Sequence, residues 1–176
     1  MHLPIKIILI FLLMNNISLF DFSRDSDISK WVVVNDGVMG GLSQGSFKLN
    51  KKGHGEFSGY VSLENNGGFS SIRYPIKTLS TEPYSRFEIK LRGDRKNYQF
   101  RAKSQRYQRH SYISKIETNG DWQTITVKFS DMYPAFRGNI LDIPNYDGRA
   151  LAEIAFLIGN KKAEDFKLEI DYIRLQ

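Results

Sequence analysis

The chain has 176 residues, 41% hydrophobic, 25% charged and 13% aromatic, a balance that fits one folded domain with a single hydrophobic core and excludes a disordered tail. It contains no cysteine, which rules out disulfides, thiolate nucleophiles and cysteine-rich zinc or iron–sulfur sites. Its net charge of +6 is modest, but seven Lys or Arg face one acid between Arg92 and His110, a run that attracts anions in general.

Met1 to Asp21 carries one lysine, Lys6, ahead of the apolar run Ile7 to Met14. Its length and abrupt end read as a secretory signal peptide. With no clear small-x-small cleavage site, an uncleaved N-terminal anchor is the alternative. On this reading residues 22–176 form the folded domain, and the protein is exported, periplasmic or envelope-associated. Asp21 to Lys30 is polar and is expected to wrap along the surface.

From Trp31 onward the pattern has a period of two. Val32 to Val34 are β-branched and run into a turn containing Gly37, Gly40 and Gly41, where small residues permit positive φ or close backbone approach. Phe57, Gly59, Val61 and Leu63 share one face of a strand over His54 to Glu64, and Asn65-Asn66-Gly67-Gly68 then reads as a hairpin tip leading into Phe69 to Tyr74. Phe87, Ile89 and Leu91 alternate with Glu88, Lys90 and Arg92. In the basic run, Gln99, Arg101, Lys103 and Gln105 lie on one face and Tyr98, Phe100 and Ala102 on the other. Asn119-Gly120-Asp121 introduces a strand over Trp122 to Phe129. The apolar run from Ile154 to Ile158 suits a strand buried on both faces, and the strand over Phe166 to Tyr172 is followed by an out-of-phase Ile173 and Leu175, which points to a bulge. No helical period is sustained beyond the N-terminal stretch, so the fold class is all-β: a sandwich, with a closed barrel satisfying the same periodicity.

Few residues suit catalysis. His54 and His110 have no metal-ligand spacing, no Gly-x-Ser-x-Gly motif occurs, and Ser43, Ser70 and Ser71 lie in or beside glycine turns, where a nucleophile would need a base within hydrogen-bond reach, a geometry that tertiary structure sets. The carboxylates Glu56, Glu64, Glu88 and Asp131 read as solvated surface rather than a glycosidase pair. The chain is therefore expected not to be an enzyme. Binding asks less. Tyr60, Tyr74, Tyr98, Tyr107, Tyr112 and Trp122 offer aromatic faces to a carbohydrate, although Trp31 and Trp122, at strand starts, read as packing. Asp36, Ser43, Asn66, Ser70, Arg73 and Arg137 are polar groups a core does not need; Asp36 alternatively caps its own glycine turn. Asp25, Asp27, Glu169 and Asp171 would gather around a structural calcium if the first and last segments paired. The segregation of cations from aromatics argues against nucleic acid and for a solvated sheet face, with an acidic protein partner, an anionic glycan or a membrane surface as the alternatives.

Three blocks carry a resemblance. Trp31 is followed by Asn35-Asp36-Gly37-Val38-Met39-Gly40-Gly41-Leu42-Ser43; Asn65-Asn66-Gly67-Gly68-Phe69-Ser70-Ser71-Ile72-Arg73 comes next; and Tyr133-Pro134-Ala135-Phe136-Arg137-Gly138 precedes the last two strands. Over Ser29 to Leu175 the chain resembles the complex I intermediate-associated protein family. The resemblance implies a galactose-binding-like jelly roll, a β-sandwich of two antiparallel sheets, and a part in assembling respiratory NADH:ubiquinone oxidoreductase. It also implies a contact surface built from Asp36, Met39, Gly40, Gly41 and Ser43, from Asn66, Gly67, Gly68, Phe69, Ser70 and Arg73, and from Arg137 and Gly138. The expected occupant is a protein partner, membrane-complex subunits among the candidates, with no catalytic residue, metal or cofactor. The alternative is an exported carbohydrate-binding module of the cell envelope.

Overall fold

The computed structural model describes residues 16–176. Thirteen strands follow in chain order: β1 (Ile17–Asp21), β2 (Val32–Asn35), β3 (Gln44–Leu49), β4 (Gly55–Val61), β5 (Ser70–Ser80), β6 (Arg86–Arg92), β7 (Asn97–Lys103), β8 (Ser111–Glu117), β9 (Gln123–Lys128), β10 (Tyr133–Phe136), β11 (Asn139–Ile140), β12 (Ala150–Ile158) and β13 (Glu164–Leu175). They form two antiparallel sheets. One has the order β3-β4-β13-β6-β9, with β1 added beside β13; the other runs β11-β10-β8-β7-β12-β5-β2. The molecule is a jelly-roll sandwich, and two-sheet pairing rather than closure separates it from a barrel.

The alternation read from the sequence sorts side chains between core and outside. Phe87, Ile89 and Leu91 on β6 meet Tyr98, Phe100 and Ala102 on β7 across the sheet interface, with the Phe87 and Phe100 rings 4.9 Å apart and Phe100 a further 5.3 Å from Phe156. Each such ring removed from water contributes about 1.5–3 kcal/mol. The expected bulge is present: the pairing of β13 with β6 shifts register between Ile170 and Tyr172.

Three expectations are corrected. The segment after β4 is not a hairpin, because β4 pairs with β3 and β13 in one sheet whereas β5 pairs with β2 and β12 in the other. Left-handed Asn65 and Asn66 (φ 52° and 60°) carry the chain across, and its backbone N–H groups turn to a carboxylate instead of a ladder. The supposed leader overlaps the domain, since Ile17–Asp21 pairs with Leu175 to Tyr172 and Phe20 packs on Phe22, Trp31 and Tyr74 at 4.4–5.6 Å. Leu19 and Phe20 there pack against the core while Ile17 is exposed; residues 1–15 lie outside the described residues. Finally, Trp31 is core, but Trp122 lies half-buried on the outer face against His54, Lys90 and Arg92.

Candidate functional site

The glycine loops meet at Asp36. Its carboxylate, 4% exposed, accepts hydrogen bonds from the Ser43 hydroxyl (2.5 Å) and the N–H groups of Ser43 (3.1 Å), Gly68 (2.7 Å) and Phe69 (3.2 Å). Burial penalises the charge, but the hydrogen bonds from Ser43, Gly68 and Phe69 outweigh it and hold the carboxyl below the ordinary aspartate value. The glycines serve this contact. A Cβ on Gly41 would collide with the Asp36 carboxylate, and one on Gly67 would lie 2.7 Å from its Oδ2. Ser70 is fully buried and donates to Asn35 Oδ1 at 2.6 Å, while Asn66 is exposed at the crossover. Of the expected contact residues, Asp36, Ser43 and Ser70 are therefore spent on joining the two loops, and Gly41 and Gly67 give them room. Gly40, at φ +86°, closes the short helical turn Asp36–Met39.

A different subset converges elsewhere. Gly68, Phe69, Arg73, Arg137 and Gly138 line a groove of about 650 Å³ on the outer face of the seven-stranded sheet, within the range of ligand sites. Its floor follows from strand register. Arg73 on β5 and Arg101 on β7 both pair with Ala155 on the intervening β12, so the two arginines stand in one row with a small residue between them. Ile113 continues the row beyond Arg101, and Leu157 lies one step along β12; both are buried although they point away from the core. Thus β12 is covered on both faces, as its apolar run requires, and the cover on the second face is the stems of flanking cations. Gln99 and Lys103 extend the floor along β7. Phe69 stands at one end. At the other, Phe136 is flanked by the guanidinium groups of Arg109 (4.9 Å) and Arg137 (5.5 Å). Arg137 itself is left-handed (φ 50°), which with Gly138 turns the β10–β11 hairpin.

The electrostatics are one-sided. Lys103 is paired with Glu153 at 3.3 Å, but among the described residues none of Arg73, Arg101, Arg109 or Arg137 forms an ion pair. Arg101 is held by Gln99 Oε1, which accepts from Nε (2.9 Å) and Nη2 (2.6 Å), leaving three of the five guanidinium donors unspent. Burial, then the Arg73 charge, pull its pKa down to about 10. It stays charged at neutral pH, at a cost that an arriving anion would offset.

The basic run does not form one solvated face. Tertiary structure divides it: Arg101, Lys103 and Arg109 enter the groove, whereas Arg92 pairs with Glu169, Lys96 with Asp94, and Arg106 lies over Tyr107. Period-two alternation was the available signal for the Gln99, Arg101 and Lys103 face; nothing local marked Ser111, Ala135, Phe136, Leu157 or Gly159. The tyrosines considered for carbohydrate do not gather: Tyr98 is core, Tyr74 packs on Trp31, and Tyr60 and Tyr107 are exposed away from the groove. Ser43, Ser70 and Ser71 have no histidine among their hydrogen-bond partners. His110 instead lies by a second cavity of about 430 Å³ with Tyr112 and Gln108, where burial and then Lys103 push its pKa down. The acids considered for calcium are engaged by other side chains or backbone, Glu169 by Asn50 and Arg92, Asp171 by Lys90 and His54, and Asp27 by the Ser29 N–H.

Comparison with known proteins adds the family. Residues 20–170 match the family model described as Complex I intermediate-associated protein 30. Two relatives are named "Complex I intermediate-associated protein 30, mitochondrial": one from Drosophila melanogaster, 25% identical over 89% of this chain, and one from Mus musculus, 24% identical over 88%. The chain spans 62% and 54% of their respective lengths. Solved structures with the same fold include the family 11 carbohydrate-binding module of Clostridium thermocellum bound to a mixed-linked tetrasaccharide (TM-score 0.66, 16% identity, 91% of this chain and 94% of that one) and the agarase AgWH50C (TM-score 0.60, 17% identity, 92% and 24%). At these identities the likeness is one of fold. The expected export to a periplasm or envelope is corrected by the relatives, which are named mitochondrial. An apolar N-terminal stretch reports hydrophobicity, and part of it here is strand β1.

Proposed function

We propose, from the premise that this chain belongs to the complex I intermediate-associated protein 30 family, that it is a non-catalytic binding module in the assembly of complex I. The observation that carries this reading is the family match over residues 20–170, nearly the whole sandwich. The groove supplies the contact surface. It presents cations and two aromatic rings on a rigid sheet, an arrangement suited to holding a partner. Its place of action is that of the relatives, the mitochondrion.

The test is genetic and biochemical. Cells lacking the protein are expected to lose assembled complex I on native gels, together with its NADH:quinone activity, and to recover both when the full chain is restored. Wild-type amounts of complex I in those cells refute the proposal. Saturable binding of neutral oligosaccharides in the groove, with complex I unaffected, would instead favour a carbohydrate-binding module.

A further inference from the structure

We infer that the groove is a receptor for an extended acidic segment of a protein partner, whose carboxylates seat on Arg101 and Arg73. The inference rests on the assembly reading, which makes the occupant a protein, and deepens it by naming the chemistry recognised.

Distribution of charge argues first. A compact anion such as one phosphate needs cations gathered at a point. Here Arg73 and Arg101 are two strand spacings apart, about 9.5 Å, and the line from β5 to the β10 end that carries Arg137 covers four spacings, about 19 Å. Roughly six extended residues span that distance, and alternate side chains of such a segment project to one side about 7 Å apart, within reach of two long arginines. The ligand that matches is linear and repeatedly anionic.

Donor geometry argues second. Gln99 occupies the Nε side of the Arg101 guanidinium, so the free donors lie on its Nη edge, a planar pair that suits a carboxylate held by two parallel bonds. Between the arginines stands Ala155, small, buried and without a charge of its own to repel or pair with an arriving carboxylate. Leu157 in the floor, with Phe69 and Phe136 at its ends, offers apolar surface to the methylene stems of the acids and to side chains at the ends of the segment. A polymer with a charge at every unit and no apolar side chains would leave that surface unused.

The test uses the full chain and a fluorescein-labelled peptide, Glu-Leu-Glu-Phe-Glu-Leu, against its counterpart with glutamine at each acidic position, read by fluorescence anisotropy. The glutamate peptide is expected to saturate and the glutamine peptide to bind at least about tenfold more weakly. Arg101→Gln and Arg73→Gln should each weaken the glutamate peptide by about tenfold or more, since each removes one partner of a desolvated charge pair. Both variants should melt within about 2 °C of the parent. Equal binding of the two peptides, or unchanged affinity in both variants, overturns the inference. So does tight binding of hexagalacturonate without binding of the peptide, which would assign an acidic glycan. Cells separate this failure from that of the assembly reading. If the parent chain restores complex I and a chain carrying both substitutions restores it equally, the acidic segment falls and the assembly role stands. If the parent chain has no effect on complex I, the assembly role itself falls.

Discussion

Replacing Asp36 by alanine should unfold this protein more readily rather than merely empty a binding surface. Four hydrogen bonds converge on the carboxylate, three from backbone N–H groups and one from the Ser43 hydroxyl. Net contributions of about 1.5–3 kcal/mol for a hydrogen bond to a charged group would sum to more than is realistic, because the bonds share one acceptor. Discounts also apply. Gly68 and Phe69 are half-buried, so water reaches their freed N–H groups, and Ser43 keeps its contacts with Ser62 at 3.0 and 3.3 Å. A loss of about 3–5 kcal/mol remains. For a chain of this size that lowers Tm by roughly 6–20 °C, measurable by circular dichroism, with urea titration giving the free energy. Asp36→Asn keeps the shape but turns an NH2 group toward donors, and should lose at least half as much. The sign with pH is fixed: the folded carboxyl titrates below its ordinary value near 3.9, so its contribution is complete above pH 4 to 5 and disappears as pH falls through the depressed folded value. The stability gap between the parent and Asp36→Asn should therefore close on acidification. A Tm for Asp36→Ala within about 2 °C of the parent, or a gap that is unchanged from pH 7 to pH 3, would refute the structural role.

Gly41→Ala should destabilise by about 1–3 kcal/mol in urea unfolding, because its Cβ would enter the Asp36 carboxylate, whereas Gly138→Ala, with open space around it and φ +83°, should cost only the roughly 1–2 kcal/mol of left-handed backbone. Phe156→Ala removes a fully buried ring from the sheet interface and should cost about 3–5 kcal/mol, with a lower urea midpoint and an unchanged m-value. Glu153→Gln frees Lys103 and raises the groove's charge by one. It should tighten the glutamate peptide about threefold at low salt, and the gain should vanish at high salt.

Fold class was legible because it depends on local periodicity. Strands over Arg86–Arg92 and Gly55–Val61 announce themselves by one face apolar and one polar, and the out-of-phase Ile173 announces the bulge in β13. Sheet membership was not legible. Asn65-Asn66-Gly67-Gly68 has the composition of a hairpin tip, and only the long-range pull of Asp36, 32 residues away, makes it a crossover. The family blocks were equally visible as sequence, yet in the first of them Asp36, Gly41 and Ser43 form a structural clasp.

The all-β class, the alternating core and the family are written in short-range pattern or in contiguous motifs, so they can be read along the chain. Which cations act together depends on how the strands pair. Arg73 and Arg101 are 28 positions apart and become neighbours because β5 and β7 flank β12 in one register, with Ala155 between them. Arg92 and Arg101, only nine positions apart, are sent to opposite sheets, where one is neutralised by Glu169 and the other has no acid to meet. Strand pairing is a non-local interaction, and the charge pattern of a surface is set by pairing, not by order along the chain.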